Sequence, residues 1–471
     1  MDIKGKVKSN AIAELISARL HDAVHIHQVA YVKRFLERYL ADEKFRNIYG
    51  EKPQALLNQY RVPFNADELQ YLFTPEFYLL DDMSLPMIMR RYRAYLIERR
   101  NLRMIVQNEL GRVKNKAFEA WRNRQINRCK GEFGNRSRSI IHHPIAFELT
   151  TGRTVTDSFR FRSENKPLTR VFQLNQENIA LWQSILHSTY NLFGKTVNHC
   201  YFATDPLDNI EYKAFADIYQ KIYQYIPQVA TSLALQDVEQ TKLFLKNAAM
   251  LPTMHQFFVH SLADFHRLMD AFSPEELLYV DLVLDFPQAK KLKDIVIYDD
   301  QTKKAEYVKM DSLMVKSAIE CSGFVVNMPE KRVRLTTPCN IDYQHPEGNI
   351  VLAETGFSDA ADFEEKIRQM IKIYMPVEVD RTKIITFKPY YRYSKQKSGF
   401  CLESMAKYKW TFLDDIELNQ PVYQLVGELI DEAMYTSREI ATLLIDQEIK
   451  PEITFACIQS LYDAGVLQER K

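Results

Sequence analysis

An α/β fold is what this 471-residue chain predicts, with helices before a parallel sheet or partial barrel and a small helical module after it. Three observations carry that expectation. From Ile140 onward, short β-branched and aromatic runs alternate with amphipathic helical stretches, the pattern of right-handed βαβ units. Residues 1–138 lack such runs and show helical spacing throughout. Residues 416–471 change style again, into three short helices separated by tight turns.

Composition bounds the reading before any motif does. Hydrophobic residues make up 46% and charged residues 26%, which is ordinary for a globular protein, and a net charge of +1 names no partner. The six cysteines, Cys129, Cys200, Cys321, Cys339, Cys401 and Cys457, lie far apart with no CxxC or CxxxC pair. That spacing offers neither a zinc or iron–sulfur ligand set nor a disulfide framework. The amino terminus lacks the apolar core of a signal peptide, and no run of about 18 apolar residues is present. A reduced, cytoplasmic setting without membrane contact is expected.

Residues 1–138 read as a helical region, in which Ile12, Leu15, Ile16 and Leu20, then Val29, Val32, Phe35, Leu36 and Leu40, keep helical spacing. His21 and His25 share a helix face, but His27 falls off it, so packing or surface histidines are expected rather than a metal site. Between Arg90 and Arg138, fifteen Lys/Arg face four acids, with Tyr92, Tyr95, Phe118 and Trp121 interleaved. That mixture suits either an anion-binding surface or the solvated face of long helices, and the second reading is preferred.

Residues 139–300 carry the alternation. A strand ending near Leu149 passes through Thr-Thr-Gly into a loop. A helix at Ile179–Phe193, a strand at His199–Ala203 and a helix at Tyr212–Tyr225 follow. Then come a strand at Gln228–Leu233, a helix at Val238–Lys246, and strands at His255–Ser261 and Leu278–Leu284. Ser273 and Glu276 spell a capping box for a helix ahead of the last of these. Residues 301–415 read as a mixed α+β region with strands around Cys321 and Cys339 and a helix at Asp359–Tyr374. In residues 416–471, helices at Val422–Asp431, after the capping box Thr436-Ser-Arg-Glu439, and at Pro451–Ala464 suggest a winged-helix-like module that docks a peptide or partner. Few basic residues on its last helix speak against DNA.

In a parallel α/β barrel the loops after the strands carry the chemistry, so the candidate site lies after Phe147-Glu-Leu. The loop from Gly152 reads GRTVTDSFR. His142, His143, Glu148, Asp205 and Asp208 are candidate acid–base groups for this end of the fold, although their spacing alone is unspecific.

The order of HHPIAFEL, a glycine loop, YFATDPLDNIEY, FSPEELLYVDLVL, CSGFVVNM and LTTPC resembles the radical S-adenosylmethionine (radical SAM) peptide epimerases of ribosomal peptide natural product maturation. The resemblance runs from about residue 30 to the end. It implies a partial (β/α) radical SAM-like barrel in a bacterial protein, followed by a leader-binding-like winged helix. In that family the first loop carries CxxxCxxC, which holds a [4Fe-4S] cluster whose fourth iron chelates S-adenosylmethionine. A separate cysteine returns hydrogen to the peptide, and Cys339 or Cys321 would correspond to that vestigial donor. Here the three cluster positions are Arg153, Asp157 and Arg160. A guanidinium does not ligate iron, and one carboxylate cannot hold a four-iron cluster. Two softer departures accompany this one: Gln256-Phe257-Phe258 stands where the family has an Arg-Phe-Ser pattern, and Asp285-Phe286 where it tends to have Gln-Asn.

The expected function is therefore that of a catalytically degenerate radical SAM-like protein. It would bind a precursor peptide, its leader or an active maturase, with neither cluster nor S-adenosylmethionine as cofactor. Arg153 and Arg160 either plug the vacated site with Asp157 or clamp an anionic group there, with Thr204, Asp205 and Asp208 as further substrate contacts. The alternatives are a cluster-independent peptide-modifying enzyme on the same barrel and a nucleic-acid-associated protein using residues 90–138.

Overall fold

The structure, a computed structural model, describes residues 23–74, 77, 82–105, 113–134, 137, 140–155, 167–196, 198, 200, 204–248, 255–289, 294–299, 304–309, 321–340, 345, 348–414 and 421–470. The fold is mixed α/β, and among the described residues the strands fall into six sheets rather than one continuous barrel. Most of the strand predicted at His199–Ala203, and the predicted helix before His21, lie outside the described residues.

The opening strand β1 (Ile145–Glu148) is buried along its whole length. After the short antiparallel pair Thr150–Thr151 and Arg170–Val171, three strands, β2 (Ala230–Thr231), β3 (His255–Val259) and β4 (Val280–Leu284), pair in parallel as one sheet. Between them run the predicted helices α1 (Gln176–Phe193), α2 (Tyr212–Tyr223) and α3 (Val238–Ala248). Asn175 starts α1 by accepting the Asn178 amide at 2.8 Å, and Gly194 at φ +83° ends it. The parallel pairing thus follows the alternation of short apolar runs and amphipathic helices.

The partner of β1 comes from far along the chain. It pairs in parallel with β5 (Gly323–Asn327), which pairs antiparallel with β6 (Arg332–Pro338), and β7 (Asn349–Gly356) completes the sheet. Gly323 makes this approach possible. At φ +153°, a Cβ there would lie 2.0 Å from the His143 carbonyl oxygen. One apolar core joins Phe147, Trp182, Phe215, Phe257 and Phe324 to Phe363 and Met370 of the helix Ala360–Tyr374. Trp182 stands edge-on to Phe147 at 4.9 Å and donates its indole N–H to the Phe215 carbonyl at 3.0 Å.

The amino-terminal helices have their own core around Phe35, Leu57 and Met89, closed by Leu278 from the sheet region. Two of their cations, Lys33 and Arg34, point inward. Lys33 donates to the Leu277 carbonyl at 3.0 Å, and Arg34 to Met269 and Phe272 at 2.9 and 2.8 Å. Arg93, Arg124 and Arg128 from the basic stretch are likewise buried, Arg124 on the Pro376 carbonyl and Arg128 on Thr337, Pro338 and Glu132.

The helix predicted after Ser273 is corrected to a turn. The capping box forms, with the Ser273 amide on Glu276 at 2.7 Å and the Glu276 amide on Ser273 Oγ at 3.2 Å. Residues 274–279 nevertheless turn: the Leu278 and Val280 amides bond three residues back, to the Glu275 and Leu277 carbonyls, while Lys33 and Tyr95 donate to the Leu277 and Leu278 carbonyls. The carboxyl-terminal part holds a third core. In it the helices Val422–Asp431, Ser437–Leu443 and Pro451–Asp463 pack with an antiparallel three-stranded sheet, Tyr391–Lys395, Phe400–Ser404 and Lys409–Phe412. A second antiparallel pair joins Ile384–Phe387 to Leu467–Arg470. The Thr436–Glu439 capping box is present as predicted. No helix among the described residues is long and apolar enough to cross a membrane.

Two stability predictions follow from these contacts. Gly323→Ala forces a methyl against the His143 carbonyl and is expected to cost roughly 3 kcal/mol, read as a lower urea midpoint at unchanged slope. An unchanged midpoint would mean that β1 and β5 do not approach as described. His255 is buried, its Nδ1 accepting the Val229 amide at 3.1 Å, and burial pushes its pKa from 6.5 down to about 3. Below the unfolded value the unfolded chain binds a proton that the folded chain refuses. Stability is therefore complete above about pH 6.5 and falls toward pH 3, by up to about 1.4 kcal/mol per pH unit. His255→Gln should flatten that dependence in urea titrations, and an equally steep profile in the variant would assign the loss to other groups.

Candidate functional site

The carboxyl ends of β1 to β4 open on one face of the fold, where the loops after them meet. Gly152, at φ +77°, lets the chain turn out of the sheet after Thr150–Thr151. Arg153 follows it, 1% exposed, its carbonyl accepting the Leu168 amide at 3.1 Å. The loop is stapled from the other side by Asp208, whose two carboxylate oxygens accept the Thr154 amide at 3.2 and 3.1 Å. The structure thus brings Arg153 and Asp208 to the same loop cluster. Asp157 and Arg160 lie outside the described residues.

Asp205 begins the turn that carries Asp208. Its Oδ1 accepts the Leu207 amide at 3.1 Å and its Oδ2 the Ser232 amide at 2.7 Å, so it joins this turn to the end of β2. Thr204, 3% exposed, sits at the head of the turn. Asn209 closes it by donating to the Phe172 carbonyl at 2.9 Å. Thr204, Asp205 and Asp208 are therefore gathered at the predicted face, and the two carboxylates are engaged with backbone amides.

The other predicted acid–base groups are tied up or detuned. Glu148 is 1% exposed, accepts from Asn327 at 3.3 Å and lies 3.7 Å from Arg334. Burial, then the charge of Arg128, holds His142 down to about 3, far below what a base at neutral pH requires. His143 faces the β1–β5 junction with its carbonyl close to Gly323. Cys321 and Cys339 are both buried, beside the start of β5 and the end of β6. Burial, with Glu148 adding to it, pushes the Cys321 thiol up to about 12. His27 pairs with Glu275 at 2.7 Å, and His21 lies outside the described residues.

A set of three residues that the sequence reading did not assemble stands at the same face. Ser232, His260 and Asp285 each follow directly on the last residue of a parallel strand, β2, β3 and β4 respectively. His260 Nε2 lies 3.1 Å from Ser232 Oγ, and its Nδ1 lies 3.6 Å from Asp285 Oδ2. The His260 and Asp285 side chains are each 28% exposed, open to solvent on one side. The Asp285 amide donates to the Val259 carbonyl at 2.8 Å, so backbone pairing continues up to the two residues. The signal available in the sequence was position alone: three polar residues one step beyond three strand ends. A cleft opens between Leu207, Tyr212, Leu233 and Phe244, so the residue that follows Ser232 in the chain lines its wall. Among the described residues, no cluster of three or more His, Cys, Asp or Glu is placed to hold a metal ion.

No protein-family model matches the chain. The chain is 28% identical over 461 residues to the uncharacterized protein y4wI of Sinorhizobium fredii, covering 94% of this chain and 87% of that one. Among solved structures it is similar to the crystal structure of BtrN in complex with AdoMet and 2-DOIA, at 13% identity and a TM-score of 0.28, over 50% of this chain and 87% of that one.

Proposed function

We propose that this chain is a radical SAM-like protein that has given up the iron–sulfur cluster and binds a ribosomally made precursor peptide, its leader, or an active maturase that carries one. The observation that carries this reading is Arg153. It stands where the resembled epimerases have the first cluster cysteine, and it is 1% exposed rather than swung out to solvent. A guanidinium supplies five donors and no electron pair for iron. The positive charge it brings to the loop cluster suits a carboxylate or another anionic group of a bound peptide.

The carboxyl-terminal part supports the peptide side of the reading. Lys409–Phe412 is the last strand of its sheet, paired on one side to Phe400–Ser404. A leader segment laid along its other side would extend the sheet by main-chain hydrogen bonds, as in β-augmentation. The arrangement of three helices with short strand pairs supports a winged-helix-like reading of this part.

The nucleic-acid alternative is weakened by the fate of its cations. Arg93, Arg124 and Arg128 donate to carbonyls inside the protein, and a phosphate backbone needs them on the surface.

Anaerobic reconstitution of the full chain with iron and sulfide tests the cluster half of the proposal. The expected result is no retained iron and no broad visible charge-transfer band. About four irons per chain surviving gel filtration would sink it.

A further inference from the structure

We propose that Ser232, His260 and Asp285 form a nucleophilic site for acyl transfer, with an ester- or amide-linked acyl group as substrate and the cleft beside Leu233 as its acyl pocket. This goes beyond the peptide-binding reading and does not depend on it. The argument is geometric. A serine becomes a nucleophile when a base within hydrogen-bond reach takes its proton, and the base is effective when a third group fixes its orientation. His260 Nε2 is 3.1 Å from Ser232 Oγ, and the carboxylate of Asp285 lies on the opposite ring nitrogen at 3.6 Å. The two contacts use different nitrogens. The imidazole can therefore take the serine proton on Nε2 while Asp285 faces the proton on Nδ1.

The fold holds the three side chains without long flexible connections. Each is one residue past a strand of the same parallel sheet, and β3 and β4 are in register from His255 with Val280 to Val259 with Leu284. Ser232 is held by its own amide on Asp205 at 2.7 Å. It sits between a strand and a helix, since β2 ends at Thr231 and α3 begins at Val238. The cleft lined by Leu207, Leu233 and Phe244 is apolar where an acyl chain would lie, and Asn209, Lys213 and Gln240 ring it with polar groups.

The step balances on these groups and water. Ser232 Oγ attacks the acyl carbon and its proton passes to His260 Nε2. The bond from the acyl carbon to the leaving oxygen or nitrogen breaks, and that atom takes the proton from His260. Water then attacks the acyl-serine, its proton moves to His260, and Ser232 leaves with that proton. The products are a free carboxylic acid and an alcohol or amine. Ser232 and His260 are the catalytic residues, and Asp285 is a positioning residue acting through His260.

The experiment is to incubate the full chain with a fluorophosphonate and locate the adduct by peptide mass spectrometry. The expected result is a phosphonyl group on Ser232, with fluoride released, and no adduct at that peptide in Ser232→Ala. His260→Gln should slow labelling by about 100-fold, the scale of a lost general base. Asp285→Ala should slow labelling and Asp285→Glu, which returns a carboxylate to the ring, should restore it, whereas a merely structural aspartate would leave the labelling rate of folded protein in place. Circular dichroism of each variant establishes that it is folded. A wild-type chain that acquires no adduct on Ser232 overturns the proposal, as does labelling in folded His260→Gln at the wild-type rate.

Discussion

The carboxylate of Asp205 is the constraint on which the working face of this protein depends. Only 2% of the residue is exposed, and its two oxygens accept amides from two places, Leu207 within its own turn and Ser232 at the end of β2. Asp208, three residues on, accepts the single Thr154 amide of the first loop on both of its oxygens. One five-residue turn therefore fastens the loop after β1 to the edge of the next sheet. Backbone amides in such crowded loops have no strand partner and would lose far more by staying unpaired than a neutral hydrogen bond returns. Ionised acceptors are the stronger choice, and this turn supplies two.

What the sequence made legible is what local chemistry decides. The helix expected at Ile179–Phe193 announces itself by apolar spacing and starts three residues earlier, at Gln176 behind the Asn175 cap, and Thr436 and Glu439 form the box that their spacing spells. The strands ending at Thr231, Val259 and Leu284 sit inside the apolar runs that predicted them. What stayed hidden is nonlocal. The pairing of β1 with β5 joins Ile145 to Phe324, and nothing within either segment names the other. The Ser273 box misled for the same reason. Its local signal is real, but the chain turns three residues back, Leu278 on Glu275 and Val280 on Leu277, and Lys33 and Tyr95 reach into the same stretch from the amino-terminal helices. The basic stretch misled in the opposite direction, because composition counts cations without saying that Arg124 and Arg128 point into the protein.

The candidate site divides along the same line. Arg153 and the turn from Thr204 to Asn209 were visible because they stand in contiguous motifs, and the structure brings them together. Ser232 and His260 lie 28 residues apart, and each is common in its own context. Only the register of the parallel strands makes them neighbours. Asp285 was noticed as a departure at a strand end, but its partner on the adjacent strand could be read only from three dimensions.

The two proposals place different demands on one face, and the architecture lets both be met. The first loop is held by Gly152, the Arg153 backbone and Asp208, a set that does not include His260 or Asp285. The three strand-end residues are held by sheet register and by Asp205. A cation buried beside the loop and a serine–histidine pair at the sheet edge would then act on different parts of one bound chain. The arginine would hold charge, and the serine would face an acyl carbon. The connecting turn, with Asp205 at one end and Asp208 at the other, sets the distance between them, so its geometry decides how long a substrate must be to reach both.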